Sequence, residues 1–243
     1  MLKYLLLAAF CAPCIAHADD TVPVPRVEVT ATRDPEWASY RNAYKSAAYT
    51  ATFTRNRPLI QGQLQIRPRA PDASLAGLKL HLAGATTSVD IDVDAIGRVT
   101  IPMSKAAYDE DAVLRLNRQQ GLYYFSGRYS VKERADGVYP LAELRAACEQ
   151  LIGAQREGGY RLRLFGKRCA GIKFSYPAGD DAATVDVRAE DGSMRTVKAS
   201  DGHPFEDDSM GIYKVAVVRF ADLPQQGSVV THGAPLAIGT LYE

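Results

Sequence analysis

Residues 60–67 read Ile60-Gln61-Gly62-Gln63-Leu64-Gln65-Ile66-Arg67, with apolar and polar positions alternating throughout. Successive side chains of a β-strand leave opposite faces, so this period of two is a strand with one face turned inward. Ile60, Gly62, Leu64 and Ile66 form the inner set; Gln61, Gln63, Gln65 and Arg67 are expected to face water. The same reading extends along the chain. Leu78, Leu80 and Leu82 alternate with Lys79 and His81, and Val89, Ile91 and Val93 alternate with Asp90, Asp92 and Asp94. Residues 94–97 predict a turn into a partner strand at 98–101. Residues 112–117 and 122–125 predict a hairpin turning at Gln119-Gln120-Gly121. Further strands are expected at 160–165, 172–176, 183–189, 194–198, 212–220, 228–231 and 236–240, with Asp191-Gly192 as a hairpin turn.

Two segments have helical spacing instead. Asp34-Pro35-Glu36 has the form of a helix start, and Trp37, Tyr40, Tyr44, Ala47, Ala48 and Ala51 follow on one face. Pro140 opens the second, with Leu141, Leu144, Cys148, Leu151 and Ile152 on one face and Gly153 near its end. Many short strands without βαβ alternation predict a mainly β (α+β) fold: two small antiparallel β-sandwich-like units, each preceded by one helix. The polar stretch 128–137 places their boundary, giving domains over 34–138 and 139–243. The prolines at 23 and 25 make 19–33 an extended N-terminal arm.

Met1 to Ala18 has the build of a secretory signal peptide: Lys3, an apolar run from Tyr4 to Ile15, and Ala16-His17-Ala18 as the small-x-small cleavage site. That run is too short to span a bilayer, and no later segment is apolar for long enough to do so. Phe10 before Cys11 and Pro13 before Cys14 fit a lipid anchor poorly. The expected product is an exported protein, periplasmic or secreted, beginning near Asp19 and without a transmembrane segment. Its 28 cationic residues, counted after loss of Lys3, balance 28 acidic ones, so nothing global draws it to nucleic acid or anionic lipid. Cys11 and Cys14 leave with the leader. Cys148 and Cys169 remain, and in an oxidising compartment they are expected to form one disulfide.

Motifs with chemistry are sparse. Asp90-x-Asp92-x-Asp94 resembles a calcium loop, but such loops need glycine sixth and glutamate twelfth; Ala95 and Ile101 stand there. Glu206-Asp207-Asp208, with Asp201, could offer oxygens to a cation, although acidic loops are commonly just solvated. His81, His203 and His232 follow no zinc-ligand spacing. There is no Gly-x-Ser-x-Gly elbow, Ser-x-x-Lys pair or phosphate-binding glycine loop. Neither a catalytic residue nor a metal or cofactor site is assigned. The densest basic patch is Arg161, Arg163, Lys167 and Arg168, read as the polar side of a strand with Leu162 and Leu164 behind it. It is the candidate surface for an anionic partner.

Val27-Glu28-Val29-Thr30-Ala31-Thr32-Arg33 resembles the TonB box of outer-membrane receptors. Without the plug and barrel that follow in those receptors, the resemblance implies only an arm able to add to a partner's sheet. A broader likeness is carried by Asp34-Pro35-Glu36-Trp37-x-x-Tyr40, Val99-Thr100-Ile101-Pro102, Asp109-Glu110-Asp111-Ala112 with Leu114-Arg115-Leu116-Asn117-Arg118, and Leu141-x-x-Leu144-Arg145-x-x-Cys148. These stretches are similar to a family of exported proteobacterial proteins of unknown function. The resemblance implies export and a mixed helix-and-strand build, and assigns no activity. Together the readings point to a non-catalytic binding or structural protein of the cell envelope, its partner an envelope protein or glycan. The alternative is an exported hydrolase of envelope polymers using carboxylates brought together by folding.

Overall fold

A computed structural model describes residues 34–70 and 73–243. The expected leader at 1–18, the expected arm at 19–33 and the TonB-box-like stretch lie outside these residues. The described chain is mainly β with three α-helices. Its strands are β1 (Pro35–Ser39), β2 (Ile60–Pro68), β3 (Leu80–Ala83), β4 (Ser88–Ile91), β5 (Arg98–Val99), β6 (Val113–Gln119), β7 (Tyr123–Val131), β8 (Val138–Pro140) and β9 (Cys169–Tyr176). They continue with β10 (Thr184–Ala189), β11 (Met194–Lys198), β12 (Ser200–Gly202), β13 (Tyr213–Arg219), β14 (Gly227–Thr231) and β15 (Ala237–Tyr242). The helices are α1 (Tyr40–Thr54), α2 (Lys105–Asp109) and α3 (Leu141–Gln155).

All strand pairs are antiparallel. A central seven-stranded sheet runs β12-β13-β9-β15-β7-β2-β5, and two four-stranded sheets run β1-β6-β3-β4 and β11-β10-β14-β8. One core lies where α1, α2 and the first small sheet meet β2, β5 and β7. It buries Tyr40, Ile66, Leu80, Leu82, Leu114, Leu116 and Tyr123. A second core packs α3 and the other small sheet onto β9, β13 and β15 through Leu144, Leu151, Ile172, Phe174, Val185, Val218 and Val229. Sandwich-like layering is therefore present twice, but both layers share one sheet. The expected boundary at 138/139 falls inside β8, and the described residues from 34 to 243 belong to a single compact unit.

Three local expectations are corrected. Pro35–Ser39 is a strand rather than a first helical turn, because it pairs with β6; Asp34, at φ 51°, lies in the left-handed region, where an N-cap does not sit. Ser39 caps α1 instead, accepting from the Asn42 N–H. Residues 98–101 do not pair with β4: β5 pairs with β2, redirected by Asp94, whose carboxylate accepts from the Ile96 and Arg98 N–H groups. β6 and β7 do not form a hairpin but belong to different sheets, with the connection held by the Gly121 N–H donating to Glu36. The Asp191-Gly192 hairpin of β10 and β11 stands as expected.

Gly97 closes the 94–97 turn at φ 78°, its carbonyl accepting from the Ile66 N–H, and a Cβ there would lie 2.4 Å from the Ile66 carbonyl oxygen. Gly97→Ala is predicted to lower stability by about 1–3 kcal/mol, measured by urea unfolding. An unchanged midpoint would contradict this account of the turn.

Candidate binding loop and the crevice beneath it

The polar face of β2 is only partly solvated. Gln65 is fully buried, donating to the Ile96 carbonyl and accepting from Arg128 Nε at 2.9 Å. Across the ladder Gln63 faces Arg128 and Gln61 faces Ser130, so a polar layer crosses the sheet. The cover comes from a distant segment, 203–211: Phe205 and Met210 pack with Ile96 and Ala237, and the Arg128 guanidinium lies 4.1 Å from the centre of the Phe205 ring. Lys173 adds a donor to the Phe205 carbonyl at 2.8 Å.

A crevice opens in the same region for a topological reason. β15 pairs with β9 from Ala237 to Tyr242 and β7 pairs with β2 from Tyr123 to Val131, yet β15 and β7 meet only at Ile238↔Val131. Beyond that pair the sheet parts. The resulting cavity, about 80 Å³, is lined by Arg67, Arg128, Tyr129, Tyr160, Arg163 and Glu206, among others. Asp207 ties Arg128 at 3.1 Å and Arg67 at 3.6 Å. Burial pushes the Asp207 carboxyl up, but Arg128, Ser209 and Arg67 outweigh it and hold the group at about 2. Glu206 accepts from the Thr240 hydroxyl. Threonine and arginine thus engage Glu206 and Asp207, two of the carboxylates proposed for a cation, Asp201 pairs with Lys214, and Asp208 is exposed. Asp207, ionised far below neutral pH, cannot donate a proton there as a glycosidase acid must.

The other sequence candidates disperse. His81 meets Asp90, His203 meets the Gly211 carbonyl and His232 meets Asp186. Asp94 belongs to the turn before β5. Among the described residues no group of three metal-ligating side chains converges.

The basic patch takes a form the sequence reading did not foresee. Residues 160–165 are not a strand. α3 runs into a π-helical turn at Arg156–Tyr160 and the chain continues in turns, bent by Gly159 at φ 106° and Gly166 at φ 72°. Leu162 and Leu164 therefore do not share a buried side: Leu164 is buried, whereas Leu162 is 90% exposed and Phe165 86% exposed. No other large apolar side chain among the described residues exceeds 60%. Arg161, Arg163, Lys167 and Arg168 surround them in sequence, all exposed, and none makes an ion pair with a described residue. The loop's one acid, Glu157, is taken by Arg57 at 2.6 Å.

The base of this loop is fixed. Cys148 of α3 and Cys169 of β9 form the expected disulfide, Cα–Cα 5.9 Å, across a sequence separation of 21. The Arg156 guanidinium donates to the carbonyls of Leu164 and Lys167. Arg168 and Glu243 exchange backbone hydrogen bonds at 2.8 and 3.0 Å, and the Tyr242 hydroxyl donates to Gln155 at 3.0 Å. Leu164 plugs the loop into the crevice rim, beside Arg163 and Tyr160. The arrangement is a stapled stem that presents two bare apolar side chains among four exposed cations without an ion pair among the described residues. No helix of the described residues is long and apolar enough to cross a membrane. No protein-family profile, curated protein or solved structure matches the chain.

Proposed function

We propose that this is a non-catalytic binding protein of the cell envelope, exported by the leader at 1–18, processed near Asp19 and resident in the periplasm. On this reading the chain belongs to the exported proteobacterial family that its sequence resembles. One observation carries the proposal: Leu162 and Phe165 stand almost fully exposed on a loop whose base is pinned by a disulfide. Exposed apolar side chains cost solubility, and a rigid stem reduces the ordering cost of association, a combination that serves recognition. The four unpaired cations select an anionic partner. The disulfide supports an oxidising compartment. The engaged state of Asp207 and Glu206 weighs against the hydrolase alternative.

The test is capture from envelope extract by the immobilised protein beside its Leu162→Ser/Phe165→Ser variant. Both changes are at exposed positions and are expected to leave the thermal midpoint within about 1 °C. Wild type should enrich an anionic protein, glycan or lipid fraction that the variant loses. Equal capture by both proteins would overturn the assignment of this loop.

A further inference from the structure

We propose that the occupant of the 156–168 loop is an anionic bilayer surface, into which Leu162 and Phe165 insert. This rests on the binding reading above and names its partner. Three observations point to lipid. The order Arg161-Leu162-Arg163-Leu164-Phe165-Gly166-Lys167-Arg168 sets Leu162 directly between Arg161 and Arg163, and Phe165 two residues from Arg163 and from Lys167. Hydrocarbon side chains then meet acyl chains while the long cationic side chains reach back to phosphate oxygens. Half-exposed Tyr160 stands at the foot of the loop, and Tyr49 near the C-terminal end of α1 is similarly exposed; both rings are of the kind that settles at headgroup depth. The loop is also a projection, not a hollow: the cavity at its base holds about 80 Å³ and receives Leu164 and Arg163, leaving Leu162 and Phe165 outside. A flat, deformable surface accommodates such a tip without a matching pocket.

The whole chain carries a net charge of only +1, so general electrostatic attraction is negligible and contact must be local. Two apolar side chains give shallow insertion, and cations near an anionic surface add roughly fivefold each. The association is accordingly peripheral, reversible and sensitive to salt.

The experiment is co-sedimentation of the exported protein with vesicles of 30% phosphatidylglycerol in phosphatidylcholine and with pure phosphatidylcholine, at about 0.1 and 0.5 M salt. Binding is expected on the anionic vesicles at low salt and should fall at least about tenfold on pure phosphatidylcholine or at high salt. Arg161→Ala/Lys167→Ala should weaken it by about 25-fold, and Leu162→Ser/Phe165→Ser by at least about tenfold. Phe165→Trp in a Trp37→Phe background reports depth, and its emission should shift to the blue on anionic vesicles. Circular dichroism confirms that each variant is folded. Absence of vesicle binding by the folded wild type, binding unchanged in the Leu162/Phe165 variant, or no blue shift overturns the bilayer assignment. If extract capture still depends on Leu162 and Phe165 while vesicles fail, the partner is a protein or glycan: the binding reading stands and this inference falls. If neither experiment depends on them, both fall.

Discussion

Asp207→Ala is expected to destabilise the fold by about 3 kcal/mol, because it strands a buried guanidinium. Arg128 is 6% exposed at its side chain and has two partners of consequence, Gln65 and Asp207. Without the carboxylate, Arg128 and Arg67 would face each other beneath the 203–211 segment with only the more remote charge of Glu206 to offset them. The same pair gives a pH signature. The Asp207 carboxyl stands at about 2 in the fold against an ordinary 3.8. A depressed folded value means the ionised form is favoured by folding. Its contribution of about 2 kcal/mol is therefore complete above the ordinary value and disappears as pH falls toward the folded one. Asp207→Asn should remove that increment. The difference in urea midpoint between wild type and Asp207→Asn should shrink between about pH 5 and pH 2. A difference independent of pH would show that Asp207 is not ionised against Arg128.

Removing the staple is the second large effect. Cys148→Ser/Cys169→Ser should cost about 3 kcal/mol, since the cross-link closes a short loop and restricts the unfolded chain. For a domain of this size that lowers the thermal midpoint by roughly 10 °C. Because the disulfide brackets the 156–168 loop, its loss should also speed tryptic cleavage after Arg161, Arg163, Lys167 and Arg168, relative to sites in β6 or β7. Reduction of the wild type should reproduce both results. A midpoint unaffected by the double change would mean that Leu164 and the Arg156 hydrogen bonds secure the loop alone.

How far the sequence could be read depended on the range of the interaction. Alternation at 60–67 reveals β2, and the spacing of Leu141, Leu144, Cys148 and Leu151 reveals α3, because each pattern is local and its core face continuous. The Cys148–Cys169 pair followed from the cysteine count and the compartment expected of an exported chain. What failed was decided by remote partners. Pro35–Ser39 becomes a strand because β6 offers an edge, and β6 and β7 part into different sheets although a tight turn could join them. Gln65 looked solvated because its cover, Phe205 and Met210, lies far away in sequence. At 160–165 the alternation of Arg161, Leu162, Arg163 and Leu164 imitated a strand. Gly158 and Gly159 were the signal that could have warned otherwise, since paired glycines after a helix bend the chain. The basic residues were legible as a patch. The exposure of Leu162 and Phe165, which gives the patch its chemistry, was not, because the bare positions follow from the loop's bends and from where Leu164 anchors.

On the function proposed above, recognition takes place on the stapled loop. Hydrogen–deuterium exchange, comparing the protein alone with the protein mixed with envelope fraction, addresses it directly. New protection is expected at residues 160–168, with the acidic stretch 90–94 unchanged. Protection confined to other surfaces, with 160–168 exchanging as in the free protein, would contradict it.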